Sequence, residues 1–246
     1  MENKLLWVLL AGSDFGCICF PVECVVGGHT SMSGVAPYVV SVQNPTHICG
    51  GVLVANNWVL TTASCVQGRS NLKVLVGSLR LLTNMERTGV QSVTPHSAYN
   101  SVTGVNNVAL LRLSQSVVSN RIIAAQLNSA QVTSGLPTAF YGWGSLNHGS
   151  ATKSNELQTL YQKTLSTADC AKRYQNNGGL ATGFICAQIQ PGQAACSKDE
   201  GGPLIDMSSG KLLGIYDHGI QCSGVFPDVF IDVATHKTWI DTTAVN

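Results

Sequence analysis

The chain has 246 residues, which is enough for one sizeable hydrophobic core or for two fused half-domains. Its net charge of +1 argues against nucleic acid or an anionic membrane surface as a partner. Only 11% of the residues are charged, 25 are Gly, and Val, Thr and Ser are abundant, so the composition predicts an all-β protein.

The N-terminus is typical of a secretory signal peptide, because residues 1–4 are a short charged head and residues 5–11 a short apolar run. That run is too short for a membrane span, which needs about 20 residues. We expect residues 1–16 to be the signal peptide, with cleavage as late as residue 19, and the protein to be secreted and extracellular. The alternative is a buried N-terminal helix or strand.

Nine cysteines support secretion, because disulfides persist in oxidising compartments. No spacing among them matches a zinc site. We therefore expect no metal and no cofactor.

Short segments of alternating hydrophobicity follow one another along the chain and predict strands. These segments are residues 39–42, 51–54, 58–61, 72–76, 108–113, 138–143, 157–161, 184–186, 212–216 and 228–233. A helix is predicted from Val233 to about Thr242, with Trp239 and Ile240 packed inward. Strands at this spacing indicate a barrel or a sandwich. Two halves would meet near residues 117–130.

Several motifs in this chain resemble those of trypsin/chymotrypsin-like serine peptidases, in the same order. They are Val25-Val26-Gly27-Gly28, Cys49-Gly50-Gly51, Thr61-Thr62-Ala63-Ser64-Cys65, Asn106-Asn107-Val108-Ala109-Leu110-Leu111, Gly142-Trp143-Gly144 and Cys196-Ser197-Lys198-Asp199-Glu200-Gly201-Gly202-Pro203. One such motif is a weak signal, but all of them in register over residues 25–246 are highly specific. The resemblance implies two antiparallel six-stranded β-barrels, a C-terminal helix and a site between the barrels.

The resemblance places Ser64, Asn107 and Glu200 at the positions of the family's catalytic His, Asp and Ser. The family mechanism needs a hydroxyl nucleophile, an imidazole base and a carboxylate that orients the imidazole. Ser64 is no base near neutral pH, and Asn107 has no charge with which to stabilise an imidazolium. Glu200 would put an anion where an oxyanion should develop. We therefore expect a degenerate, inactive peptidase.

The oxyanion hole and the specificity pocket also depart from the family pattern. Lys198 stands where the family has the Gly of the oxyanion hole, and its side chain could pair with Glu200. Ala194 stands where tryptic members have an acid, and Gly219 and Asp228 belong to the pocket walls. Asp228 would either fill the pocket or offer an acid to a basic side chain.

Asp217 and His218 stand where the family has Ser and Trp on the substrate-binding strand. Together with Glu200 they could support acid–base or metal chemistry. Neighbouring residues of a strand point to opposite faces, however, so we do not expect both to line the cleft. The preferred interpretation is a site that has lost its chemistry.

Activation in the family requires cleavage after a basic residue, which frees an ammonium that pairs with the Asp at position 199. Residues 21–24 contain no Arg or Lys. An unpaired buried Asp199 would be costly. We hypothesise that a Ser41–His47–Asp199 network replaces the ammonium and keeps the domain zymogen-like. The alternative is that active members carry the same Ser and His.

The resemblance also implies three disulfides, namely Cys49–Cys65, Cys170–Cys186 and Cys196–Cys222. If the signal peptide removes Cys17 and Cys19, Cys24 is left without a partner. Cys24 could then bridge to another chain or remain a free thiol. A local pair with Cys17 or Cys19 is the other reading.

These features favour a secreted, non-catalytic serine protease homologue that binds an extracellular protein. Such a protein would be regulatory in a protease cascade, an immune setting or a reproductive fluid. Loops on a rigid barrel make a good recognition surface. One alternative is a hydrolase that uses unrecognised catalytic residues. Another is a small-ligand or metal-binding protein that uses Glu200, Asp217, His218 and Asp228.

Overall fold

The computed structural model describes residues 25–119, 122–188 and 190–245, so the predicted signal peptide and Cys17, Cys19 and Cys24 lie outside it. The strands are β1 His29–Thr30, β2 Val39–Gln43, β3 His47–Ala55, β4 Trp58–Thr61, β5 Lys73–Val76, β6 Arg87–Pro95, β7 Ala109–Leu113, β8 Pro137–Gly142, β9 Gln158–Thr164, β10 Phe184–Gln188, β11 Pro203–Asp206, β12 Leu212–His218 and β13 Asp228–Asp232. The helices are α1 Ala63–Val66, α2 Thr167–Tyr174 and α3 Val233–Thr243.

Strands β2 to β7 close into a first antiparallel barrel in the order β2-β3-β4-β7-β6-β5. Alternate residues of a strand point to opposite faces, so the Val- and Leu-rich strands can turn one set of side chains inward. Val40, Val74 and Leu111 are fully buried members of the cluster that fills this barrel. Burial of such side chains is the main stabilising contribution to the barrel.

Strands β8 to β13 form a second antiparallel ring in the order β9-β10-β13-β12-β11-β8, which the pairing of β8 with β9 closes. The short strand β1 adds to β9 from outside the ring. Phe140, Leu204 and Phe230 are fully buried in its interior. The prediction of two six-stranded antiparallel barrels is therefore confirmed.

A third cluster of buried side chains joins the barrels. Leu60 and Leu110 come from the first barrel, and Ile215 and Ile231 from the second. The chain crosses between the barrels after β7 and before β8, a segment that includes the division expected near residues 117–130. Asn107, just before β7 of the first barrel, contacts Asp217, on β12 of the second barrel, and this contact marks the groove between the barrels.

The predicted C-terminal helix is confirmed as α3. Asp232 caps it by accepting a backbone N–H of its first turn, which satisfies one of the orphan donors of a helix start. Ile240 is buried in the shared core, and Trp239 packs against it, as predicted. The indole of Trp58 donates to the carbonyl of Val245, which fixes the end of the chain to the first barrel.

The three disulfides implied by the resemblance, Cys49–Cys65, Cys170–Cys186 and Cys196–Cys222, are all formed. Each closes a loop and typically stabilises a fold by about 2–4 kcal/mol. None of the helices in the described ranges is both long and apolar enough to cross a bilayer.

Candidate functional site

Asn107 is the centre of a hydrogen-bond network in the groove between the barrels. Its side-chain oxygen accepts the backbone N–H of Ser64 at 2.7 Å. Its amide nitrogen donates to Ser64 Oγ at 3.0 Å and to Asp217 Oδ1 at 2.7 Å. Ser64 lies on α1 and Asn107 just before β7, so the fold brings together two of the positions expected from the resemblance.

Asp217 and His218 face each other, which corrects the expectation that their side chains would diverge. His218 Nδ1 lies 2.6 Å from Asp217 Oδ2. The pairing of β12 with β13 shifts register between Tyr216 and His218, and this bulge breaks the alternation of an ordinary strand. The imidazole of His218 also packs edge-on against Tyr174. Asp217 therefore links Asn107 to His218 across the groove.

The Glu200 carboxylate lies at the backbone N–H groups that would form an oxyanion hole. Burial raises the pKa of Glu200, whereas hydrogen bonds from the backbone of Glu200 and of Lys198 oppose that rise. The ion pair that Lys198 could make with Glu200 is not seen, since the ion pairs within 4.0 Å in the described ranges do not include Lys198. The backbone of the turn before β11 interacts with the carboxyl group instead.

Buried polar side chains hold the peptide of Lys198 in place. Ser41 Oγ and His47 Nδ1 are 2.8 Å apart, and His47 Nε2 lies 2.9 Å from the carbonyl oxygen of Lys198. Burial lowers the pKa of His47 to about 4, so the ring is neutral near pH 7. A carbonyl can only accept, so Nε2 carries the proton and Nδ1 accepts from Ser41. Lys198 itself has a φ of 74°, a conformation that favours Gly.

Asp199 does not join this network, so the hypothesis of a Ser41–His47–Asp199 triad is wrong at its third member. The Asp199 carboxylate accepts the backbone N–H of Gly144 at 2.7 Å and that of Cys196 at 2.9 Å. A Cβ at position 144 would overlap this carboxylate, so Gly is required there. Burial raises the pKa of Asp199 to about 8. It makes no ion pair within the described part of the chain.

The segment that begins at Val25 packs beside the loop that precedes the Asp199 turn. The side chain of Val25 is fully buried with Ala195 in the core of the second barrel. The carbonyl of Val26 accepts the backbone N–H of Ala194 at 3.0 Å. These contacts anchor Val25 and Val26 to the second barrel. They do not involve the Asp199 carboxylate, whose hydrogen bonds come from Gly144 and Cys196.

Asp228 lies between the walls of the expected specificity pocket. Its Oδ2 accepts from Gln162 Nε2 at 2.6 Å and from the backbone N–H of Ala195 at 2.9 Å. A Cβ placed on Gly219 would lie 3.0 Å from the other carboxylate oxygen. Burial raises the pKa of Asp228 to about 7. This geometry favours the interpretation in which Asp228 fills the space between the walls.

Two residues of the site escaped the sequence analysis. Gln162 is a buried polar side chain on β9, and its hydrogen bond to Asp228 is what identifies it as part of the site. Lys153 lies in the loop before β9 and donates to the carbonyl of His47 at 3.2 Å. No sequence pattern singles out either, because their partners are distant in the chain. Within the described ranges, no three His, Cys, Asp or Glu side chains are arranged to hold a metal ion.

Comparisons with known proteins agree with this architecture. The sequence model of the family described as Trypsin matches residues 25–240. Trypsin I-P1 of Gallus gallus is 31% identical over 235 residues, covering 92% of this chain and 93% of that protein. Trypsin alpha of Drosophila melanogaster is 33% identical, covering 89% and 87%. The solved structure of neuropsin, a serine protease expressed in the limbic system of mouse brain, superposes with a TM-score of 0.82 at 27% identity, covering 89% and 99%.

Proposed function

We propose that this chain, which belongs to the trypsin family, is a secreted, non-catalytic member that acts by binding another extracellular protein. The observation that carries this proposal is the position of Glu200. Its carboxylate lies at the backbone N–H groups of Lys198 and of Glu200 itself, where a substrate's developing oxyanion would need to bind. A carboxyl group at that point occupies those donors and so opposes acyl transfer.

The absence of a usable nucleophile–base pair supports the same proposal. Within residues 25–119, 122–188 and 190–245, the hydroxyl–imidazole hydrogen bond is that between Ser41 and His47. Both side chains are buried, and the ring is held by the carbonyl of Lys198. Ser64, at the expected position of the base, contacts Asn107 rather than an imidazole. The rival, a hydrolase with unrecognised residues, lacks a candidate pair in this part of the molecule.

Secretion is supported by the apolar N-terminal run and by the three disulfides, which persist in oxidising compartments. A binding role is supported by the intact scaffold, because disulfide-braced barrels hold surface loops in fixed positions. The regulatory setting we propose is a protease cascade, an immune response or a reproductive fluid.

Two measurements test this proposal. The purified protein is treated with a fluorophosphonate probe and a broad peptide library, with an active trypsin as the positive control. We expect no labelling and no cleavage; inhibitor-sensitive turnover would overturn the proposal in favour of the hydrolase. Crosslinking in the native fluid, followed by mass spectrometry, then identifies the protein partner, and the N-terminal peptide defines the start of the mature chain.

A further inference from the structure

Three asparagines in the sequence precede a Ser or a Gly. Asn100 and Asn128 each precede a Ser, and Asn177 precedes Gly178. In such pairs the backbone nitrogen of the second residue can attack the side-chain carbonyl carbon of the asparagine, because the second residue is too small to obstruct the approach. The three asparagines differ in how the fold holds their side chains.

Hydrogen bonds hold the side chains of Asn100 and Asn128. Asn100 Oδ1 accepts the backbone N–H groups of Val102 and Thr103, at 2.9 and 3.1 Å. Asn128 is buried, and its amide nitrogen donates to the carbonyl of Ala130 at 2.6 Å while its Oδ1 accepts the N–H of the same residue at 3.3 Å. Each side chain must therefore lose two hydrogen bonds before its carbonyl carbon can turn toward the next nitrogen.

Asn177 has no such restraint. It lies in the exposed turn after α2, and none of the described residues forms a hydrogen bond with its side chain. Gly178 is also exposed, and its backbone N–H has no acceptor in the described part of the chain. The N–H groups on either side, those of Asn177 and Gly179, both donate to the carbonyl of Tyr174, at 2.8 and 3.0 Å. The turn is thus held at both ends, and the amide between them is left to solvent.

Gly178 also presents no steric obstacle to the reaction. Its φ is 88°, a conformation that residues with a Cβ rarely adopt. A Cβ built at this position would meet no heavy atom within 4 Å, so no packed group surrounds the backbone here. The nitrogen of Gly178 can therefore approach the side chain of Asn177 without displacing a neighbour.

We propose that Asn177 is a site of spontaneous deamidation, and that the fold protects Asn100 and Asn128 from the same reaction. The nitrogen of Gly178 gives up its proton and bonds to Cγ of Asn177. The bond from Cγ to Nδ2 breaks, and ammonia leaves with that proton, which closes a cyclic imide. Water then adds to Cγ and breaks its bond to the ring nitrogen, which gives aspartate. Alternatively, water adds to the main-chain carbonyl carbon and breaks the bond there, which gives isoaspartate.

Both products change the surface at the end of α2. Each adds a carboxylate within five residues of Lys172 and Arg173, and neither cation belongs to an ion pair within 4.0 Å in the described ranges. Isoaspartate also lengthens the main chain by a methylene group, between the two N–H groups that hold the carbonyl of Tyr174. The ring of Tyr174 packs against His218 at the groove, so this product alters the support of a residue in the site.

The test measures deamidation at each of the three asparagines in the folded and in the unfolded protein. The folded protein is incubated at mildly alkaline pH, and peptide mapping by mass spectrometry after digestion at acidic pH gives the rate at each position. The reduced and alkylated chain in urea gives the corresponding unfolded rates. The ratio of the two rates at each position removes the intrinsic difference between Asn–Gly and Asn–Ser pairs.

Three variants accompany the parent. N177D supplies the standard for the aspartate product. N177Q is the test variant, because glutamine would have to close a larger ring that forms more slowly. N176Q is the control, since it makes the same change at an exposed neighbour that does not precede a Gly. Isoelectric focusing follows the acidic products in each variant.

We expect the folded and unfolded rates at Asn177 to be of the same order. Asn100 and Asn128 should react about tenfold or more slowly in the folded protein than in the unfolded chain, since two hydrogen bonds must break first. The parent and N176Q should accumulate acidic products together, and N177Q should not. Protection of Asn177 comparable to that of the other two asparagines would overturn the inference, as would acidic products in N177Q at the parent's rate.

This inference goes beyond the proposed function and does not depend on it. The reaction uses only the turn after α2 and water, so its rate is the same whether the protein binds a partner or cleaves peptides. An active hydrolase would therefore refute the proposed function and leave this site in place. Unprotected reaction at Asn100 or Asn128 in the folded protein would refute the structural distinction and leave the proposed function in place.

Discussion

Asn107 donates its side-chain amide to a carboxylate oxygen of Asp217 at 2.7 Å, so the two side chains share one negative charge between opposite walls of the groove. Asp217 carries the charge at the end of β12, and Asn107 carries the neutral group before β7. The same Asp217 contacts His218 with its other oxygen. The acid of this pair therefore stands at position 217 and the amide at position 107.

Replacing Asn107 by Asp should destabilise the protein, because it sets two carboxylates at hydrogen-bond distance. We expect a loss of about 1–3 kcal/mol in the free energy of unfolding. Adding Asp217→Asn exchanges the two groups and should recover most of that loss. Urea unfolding of both single variants and the double variant measures the coupling. The exposed Asn177→Asp serves as control, and additivity of the pair would contradict the contact.

Placing a hydroxyl at position 200 should not make the protein reactive toward a fluorophosphonate. Glu200→Ser frees the backbone donors of Lys198 and residue 200, but Ser64 and Asn107 still offer no imidazole to accept the proton. We expect fluorophosphonate labelling of Glu200→Ser at the level of Glu200→Ala. Labelling well above that level would mean that another side chain acts as the base.

Stability should fall as the pH rises from about 6.5 to 9. The pKa values of Asp199 and Asp228 are raised to about 8 and about 7, far above those of the unfolded chain. At intermediate pH the folded state therefore holds protons that the unfolded state has lost. The free energy of unfolding falls as the pH rises, until each group has ionised in the folded state as well. The pKa of His47 is lowered instead, so this group makes the protein more stable as the pH rises from about 4. That effect is complete near pH 6.5, the ordinary pKa of His.

We expect a loss of about 2 kcal/mol over that range, or a few degrees in Tm. Asp228→Asn should show a smaller fall in stability, because it removes one of the two titrating carboxyl groups. The variant should still fold, since its amide oxygen can accept from Gln162 and Ala195. Asp241→Asn, at an exposed position, should keep the parent's dependence. Calorimetry at several pH values measures both, and a Tm that rises with pH would contradict the assignment.

Removing the imidazole of His47 should loosen the turn that carries Lys198. His47→Ala leaves the carbonyl of Lys198 and the hydroxyl of Ser41 without their partner, both in a buried setting. The expected cost is about 1–3 kcal/mol. His148→Ala, in an exposed loop, is the control and should change little. Denaturant unfolding gives the free energies, and equal values for the two variants would rule out a supporting role for the His47 ring.

The strands predicted from alternation all fall on observed strands, and those that were missed share a physical cause. β6 is half exposed and contains Gly89 and Pro95, so its alternation is weak. β11 has four residues and follows Gly201-Gly202, which is a turn signal. β1 has two residues. Strands of this kind are stabilised by their neighbours rather than by their own pattern.

The sequence could predict which residues belong to the site, but not the hydrogen bonds that their side chains make. The resemblance to the family predicted the positions of Ser64, Asn107 and Glu200. The bulge at Asp217 and the loop backbone that donates to Asp199 have local geometry that no sequence pattern indicates. Gln162 and Lys153 were missed for the same reason, because each acts on a partner far away in the chain.

The contact between Asn107 and Asp217 ties together two positions that belong to different barrels. A carboxylate placed at position 107 would face the carboxylate already present at position 217, so its effect depends on the side chain that stands there. Substitutions at the two positions are therefore epistatic, and neither barrel can change its side of the contact without regard to the other.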